Sequence, residues 1–63
     1  MPIVTIQMME GRDDRKKARA IEAVTHALVE SLDAKIETIR VILIEVPKAH
    51  WGIAGKPVGP PRD

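Results

Sequence analysis

The 63-residue sequence contains no cysteine, tyrosine or phenylalanine, and Trp51 is its only aromatic residue. Each absence removes a class of protein. Without cysteine there is no disulfide framework, the common support of very small secreted domains. Thiolate zinc sites are excluded for the same reason, and His26 and His50 stand too far apart to resemble closely spaced structural ligands, so no metal is expected. One aromatic gives no stacking platform for bases. Ten basic against nine acidic residues leave a net charge of +1, which is not the basic stripe of a nucleic-acid binder. No apolar run approaches the roughly 20 residues that span a bilayer, and the charged stretch after Met9 is no signal-peptide core. A cytoplasmic protein with neither a nucleic-acid nor a membrane partner is expected, with the missing cysteines adding modest support.

Length is a second constraint. A domain this small buries only about 60% of the surface its unfolded chain exposes, and needs disulfides, a metal or oligomerisation to make up the difference. With the first two removed, self-association is what remains.

What is present reads as three elements. Residues 2–9 mix Ile3, Val4, Ile6, Met8 and Met9 with Thr5 and Gln7, which predicts a strand apolar on both faces. Glu10 and Gly11 break that pattern, Asp13 offers an N-cap oxygen, and Asp14 suits the positive end of a helix. Ile21, Val24, Leu28 and Leu32 then recur at helical spacing, with Ala18, Ala20 and Ala27 widening the stripe. Arg15, Arg19, Glu22, His26 and Glu30 fall on the other side as a solvated face, so His26 needs no catalytic role. Asp33 and Ala34 end the helix, and a second strand rich in β-branched residues runs from Arg40 to Val46, where Pro47 stops it.

The fold class is therefore α/β: a single βαβ unit of two parallel strands joined by one long helix in a right-handed crossover. Residues 1–63 form one domain, in which residues 54–63 are a Pro/Gly-rich tail. The stretch after Trp51, with Gly52, Gly55, Pro57, Gly59, Pro60 and Pro61, reads as loop. One helix covers only one face of a two-stranded sheet, yet both faces carry apolar side chains. Another copy of the chain is the simplest cover, and pairing between copies also removes exposed strand edges.

Four landmarks in register give the sequence a specific resemblance to the 4-oxalocrotonate tautomerases over nearly its whole length. They are Met-Pro-Ile at the start, Glu10-Gly11-Arg12 after the first strand, Arg40-Val41-Ile42 opening the second, and Trp51-Gly52-Ile53 beyond it. The resemblance implies βαβ subunits assembled as a homohexamer, a trimer of dimers. It also implies 1,3-keto-enol tautomerisation of a small unsaturated 2-hydroxy or 2-oxo acid such as 2-hydroxymuconate, in aromatic degradation, without a cofactor. Pro2, exposed as a secondary amine once Met1 is removed, resembles the family's general base. Its pKa is expected below the roughly 7.7 to 8.0 of ordinary α-amino groups, because apolar surroundings and nearby arginines disfavour the ammonium form. Arg40 resembles the arginine that holds the 2-oxo oxygen and adjacent carboxylate, and Arg12 the one that holds the distal carboxylate; a guanidinium fork meets carboxylates in bidentate fashion. Trp51 takes the place of an aromatic pocket wall, with Ile53 and Met9 as further apolar wall. Arg62 falls where some relatives have a tail arginine.

Taken singly, Pro2 is an ordinary strand-opening proline, Arg12 a solvated loop residue and Arg40 an edge charge. Their joint register is what points to chemistry. Two departures stand out: Trp51 is bulkier than the phenylalanine common in the family, and Pro57, Pro60 and Pro61 make the tail a poor donor of strand hydrogen bonds. Two alternatives have a different character. One is a lyase of the same superfamily, a hydratase or dehalogenase, with Glu45 as a conceivable water-activating acid. The other is a non-enzymatic oligomeric module. Finally, Pro2 and Arg12 stand at opposite ends of the first strand, about 20 Å apart at strand rise. One chain does not bring both to one small substrate.

Overall fold

A computed structural model describes residues 1–62; Asp63, the last residue of the expected domain and tail, lies outside them. Strand β1 (Ile3–Met9), helix α1 (Asp14–Leu32) and strand β2 (Arg40–Val46) follow one another as the sequence predicts. β1 and β2 pair in parallel, from Ile3 opposite Arg40 to Met9 opposite Val46. Pro2 precedes the assigned strand by one residue, but its carbonyl still accepts a hydrogen bond from the Arg40 N–H at 3.0 Å.

Both helix ends are set by the residues expected to set them. Asp13 is extended (φ −78°, ψ 165°), and its Oδ1 accepts the Lys16 N–H at 2.8 Å, satisfying a donor the first turn leaves open. Asp33 terminates the helix in the left-handed region at φ 53°, a conformation that short polar side chains tolerate better than most.

Strand alternation divides the sheet into two faces. Val4, Ile6 and Met8 with Val41, Leu43 and Glu45 face the helix, and Ile3, Thr5, Gln7 and Met9 with Arg40, Ile42, Ile44 and Val46 face away. The helix lies mainly over β2. The far face is open along Ile3, Ile42 and Ile44, which are 62%, 48% and 43% exposed. Among the described residues only Ile39, 8% exposed, is buried.

The helical stripe needs correction at its margins. Lys17, Ile21, Val24, Thr25, Leu28 and Val29 are the half-buried positions, whereas Ala18, Ala20 and Ala27 are exposed. Leu32 is 59% exposed. It shares the angular position of Ile21 and Leu28, so its exposure means that among the described residues little packs over its side chain.

The stretch after Trp51 is not all loop. Strands β3 (Gly52–Ile53) and β4 (Lys56–Pro57) form an antiparallel hairpin, with Gly52 opposite Pro57 and Ile53 opposite Lys56. Both residues of its two-residue turn have positive φ, 53° at Ala54 and 82° at Gly55, the backbone signature of a type I′ turn. The prolines do not strip the segment of donors, because its ties to the body come from their neighbours. The Val58 N–H donates to the Trp51 carbonyl at 2.8 Å and the Gly59 N–H to the Lys48 carbonyl at 3.0 Å. Gly59 is required by contact: a Cβ there would lie 2.6 Å from the Cβ of Lys48, in the short 3-10 turn Lys48–His50.

Alanine in the left-handed region costs about 1 kcal/mol or more, and asparagine, which tolerates it, removes much of that penalty. Ala54→Asn is therefore expected to raise the melting temperature, measured at fixed chain concentration, without changing the assembly state.

Candidate active site

Parallel pairing brings the starts of the two strands together. Pro2 and Arg40 are consequently neighbours within one chain, linked by the backbone hydrogen bond described above. The Arg40 guanidinium is oriented by carbonyls alone: its Nη1 donates to Glu37 O at 2.8 Å and to Ile39 O at 3.3 Å. Glu37 belongs to the 3-10 turn Ile36–Thr38, which delivers the chain into β2. Guanidinium has five N–H donors, so this anchoring leaves the Nη2 and Nε edge available to an acceptor.

The other expected site residues lie at the opposite end of the sheet. Met9 closes β1 opposite Val46. Trp51, half-buried, lines a shallow hollow of about 240 Å³ with Gln7, Val46, His50 and Gly52, and Ile53 projects from β3 with 62% exposure. Arg12 lines a larger groove of about 460 Å³ on the helix side, where Ile6, Met8 and Leu43 form an apolar floor and Lys16, Lys17 and Arg19 add charge. Neither hollow includes Pro2 or Arg40. A single subunit thus presents two groups, Pro2 with Arg40 and, a strand's length away, Met9, Arg12, Trp51 and Ile53.

Glu45 takes a position the sequence reading left open. It faces the helix, where its Oε2 accepts from Lys17 Nζ at 2.7 Å. Lys17 also lies 3.4 Å from Asp14 Oδ1, and its side chain is only 16% exposed. The hydrogen bond to Glu45 raises the ammonium pKa above the ordinary lysine value against the opposing pull of partial burial, and Asp14 adds to the rise. Lys17 therefore stays charged across the physiological range, and Glu45 is committed to a structural ion pair. A signal for this pair is in the sequence: Lys17 is four residues before Ile21 on the buried stripe, and Glu45 continues the alternation of Val41 and Leu43.

The sequence profile of the family described as tautomerase enzymes matches residues 2–60 of this chain. The chain belongs to the tautomerase family. A 2-hydroxymuconate tautomerase of Pseudomonas putida is 49% identical over 57 residues, covering 90% of either chain. A probable tautomerase of Ralstonia nicotianae is 46% identical over 67 residues, covering 100% of this chain and 96% of its own. Among solved structures, a heterohexamer 4-oxalocrotonate tautomerase from Chloroflexus aurantiacus superposes with a TM-score of 0.88 at 33% identity, over 92% of this chain and 94% of that one. The tautomerase described here is thus an enzyme of the 4-oxalocrotonate tautomerase type, and the reading as a non-enzymatic module falls away. Among the described residues no helix is long and apolar enough to cross a membrane.

Trp51 is the tautomerase's only tryptophan, so its fluorescence reports on the hollow directly. Gly59→Ala forces a methyl group against Lys48, an overpacking cost of about 1–3 kcal/mol. The variant is expected to melt earlier and to show red-shifted emission as Trp51 gains water.

Proposed function

We propose that this tautomerase catalyses 1,3-keto-enol tautomerisation of a small unsaturated 2-hydroxy or 2-oxo diacid of the 2-hydroxymuconate type, with Pro2 as general base after removal of Met1. The observation that carries this reading is the juxtaposition of Pro2 and Arg40 at the start of the parallel pair. The proline nitrogen accepts the proton of the 2-hydroxyl group. The electron pair closes the carbonyl while the conjugated carbon takes a proton back from the prolinium. Nothing is oxidised or reduced, and the step needs no cofactor.

Each proposed role follows from charge and position. Arg40 offers its open guanidinium edge to the 2-oxo oxygen and adjacent carboxylate, where negative charge develops, and its positive charge beside Pro2 lowers the amine's pKa. Arg12 holds the distal carboxylate, and Trp51, Ile53 and Met9 supply apolar wall. Because these residues divide between two ends of the sheet, a complete site draws them from different subunits. A homohexamer built as a trimer of dimers is the proposed assembly. The uncovered face of Ile3, Ile42 and Ile44 supports association independently, as does the heterohexameric state of the Chloroflexus relative. The lyase reading loses its water-activating candidate, since Glu45 is paired with Lys17 on the helix side. The lack of cysteine is the support for a cytoplasmic location, and the resemblance to the 4-oxalocrotonate tautomerases is the support for a place in aromatic degradation.

Intact mass is expected to show loss of Met1, and ultraviolet assay is expected to show ketonisation of 2-hydroxymuconate that Pro2→Ala abolishes. Arg40→Ala should lower kcat by about 10²-fold or more while the assembly and its melting temperature are retained. Turnover by protein that keeps Met1 would refute the amine as base, because Pro2 is then a tertiary amide.

A further inference from the structure

Arg12 has several carboxylates close to it in sequence and at the same end of the sheet, and is bonded to none of them. Glu10, Asp13 and Asp14 flank it in sequence, and Glu45 reaches the same end of the sheet through its register partner Met8, which lines the groove beside Arg12. A guanidinium so placed readily closes on a carboxylate, since the pair is bidentate and charge-assisted. Here each acid has another partner. Glu45 Oε2 accepts from Lys17 Nζ at 2.7 Å, and Asp14 Oδ1 lies 3.4 Å from the same nitrogen. Asp13 Oδ1 accepts the Lys16 N–H at 2.8 Å, and Glu10 Oε1 stands 3.8 Å from Arg62 Nη1. Lys17 shares the groove with Arg12 and is the shorter-bonded and less exposed of the two competing cations.

We propose that Lys17 is a positioning residue for substrate selection: by engaging Glu45 and Asp14 it keeps the Arg12 guanidinium free for the distal carboxylate of a diacid. The inference rests on the reading of Arg12 given above. Lys17 touches no substrate. Its removal leaves Glu45 unpartnered next to the place Lys17 held in the groove, and Arg12 turns inward to pair with it.

The test compares two dienols, 2-hydroxymuconate and the monoacid identical to it except for hydrogen in place of the distal carboxylate. In Lys17→Met, kcat/KM for the diacid is expected to fall about tenfold or more, mainly through KM, with monoacid turnover held within about twofold. Lys17→Arg should retain the diacid preference, and Lys17→Met combined with Glu45→Gln should restore it, because the carboxylate that remains, Asp14, is fully exposed and stays solvated without a partner. Glu45→Gln alone should keep the wild-type ratio although it breaks the same ion pair. A Glu45→Gln protein as impaired as Lys17→Met, or an unchanged diacid-to-monoacid ratio in Lys17→Met, would assign the pair to the fold alone and overturn the inference. Failure of both Lys17→Met and Lys17→Gln to fold would do the same. A wild-type protein that turns over both acids without preference overturns the reading of Arg12, and this inference with it.

Discussion

The constraint on which the rest depends is the register of one parallel pair. Two parallel strands require a crossover, and a helix of 19 residues, about 28 Å long at 1.5 Å per residue, returns the chain along the whole length of a seven-residue strand. The second strand therefore begins beside the first. That places the Arg40 N–H on the Pro2 carbonyl and sets Ile3 opposite Arg40. A slip of one residue would send Arg40 to the helix side and bring Val41 to the open face, exchanging every contact the sheet makes. Register, more than any single side chain, decides that a proline and an arginine 38 positions apart in sequence become neighbours.

The same economy leaves the subunit incomplete. One helix over β2 protects one face, and on the other Ile3, Ile42 and Ile44 remain about half exposed. Covering what is left of each contributes on the order of 1 kcal/mol, which is considerable for a chain with a single buried residue among those described. In the proposed assembly the surface that lacks a core and the residues that lack a site are completed together. Such coupling ties activity to association: dilution that separates subunits would remove the base from its distal arginine before it unfolded the strands.

Much of this architecture was legible in the chain, for reasons that can be traced residue by residue. Asp13 and Asp33 bracket the helix because short polar side chains serve both ends, and the strands announce themselves by composition and by period. The hairpin was hidden because Ala54 occupies a turn position whose positive φ disfavours alanine, while Pro57 argues against a strand. Gly59 reads as one more loop glycine until its approach to Lys48 is seen. Lys17 was lost within the run Arg15-Lys16-Lys17, where three adjacent cations suggest solvent, although helical geometry turns the third inward. The candidate site residues came from a resemblance in the sequence, and their division between the two ends of a sheet becomes concrete only once the strands are paired.

How Arg40 is held bears directly on the chemistry proposed for Pro2. Orienting a guanidinium with a carboxylate would also neutralise it, and a neutralised pair has little effect on the charge state of a nearby amine. Glu37 O and Ile39 O orient Arg40 through carbonyl dipoles, which fix the side chain while leaving its net charge intact. In the proposed mechanism, an uncompensated cation beside Pro2 would disfavour the prolinium and attract an incoming carboxylate, so that one charge would both prepare the base and select the acid. Lys17 and Arg62 are spent on this chain's own carboxylates, Glu45 and Glu10. Among the described residues Arg12 and Arg40 pair with no carboxylate, which in the proposed site leaves both available to the two ends of a diacid.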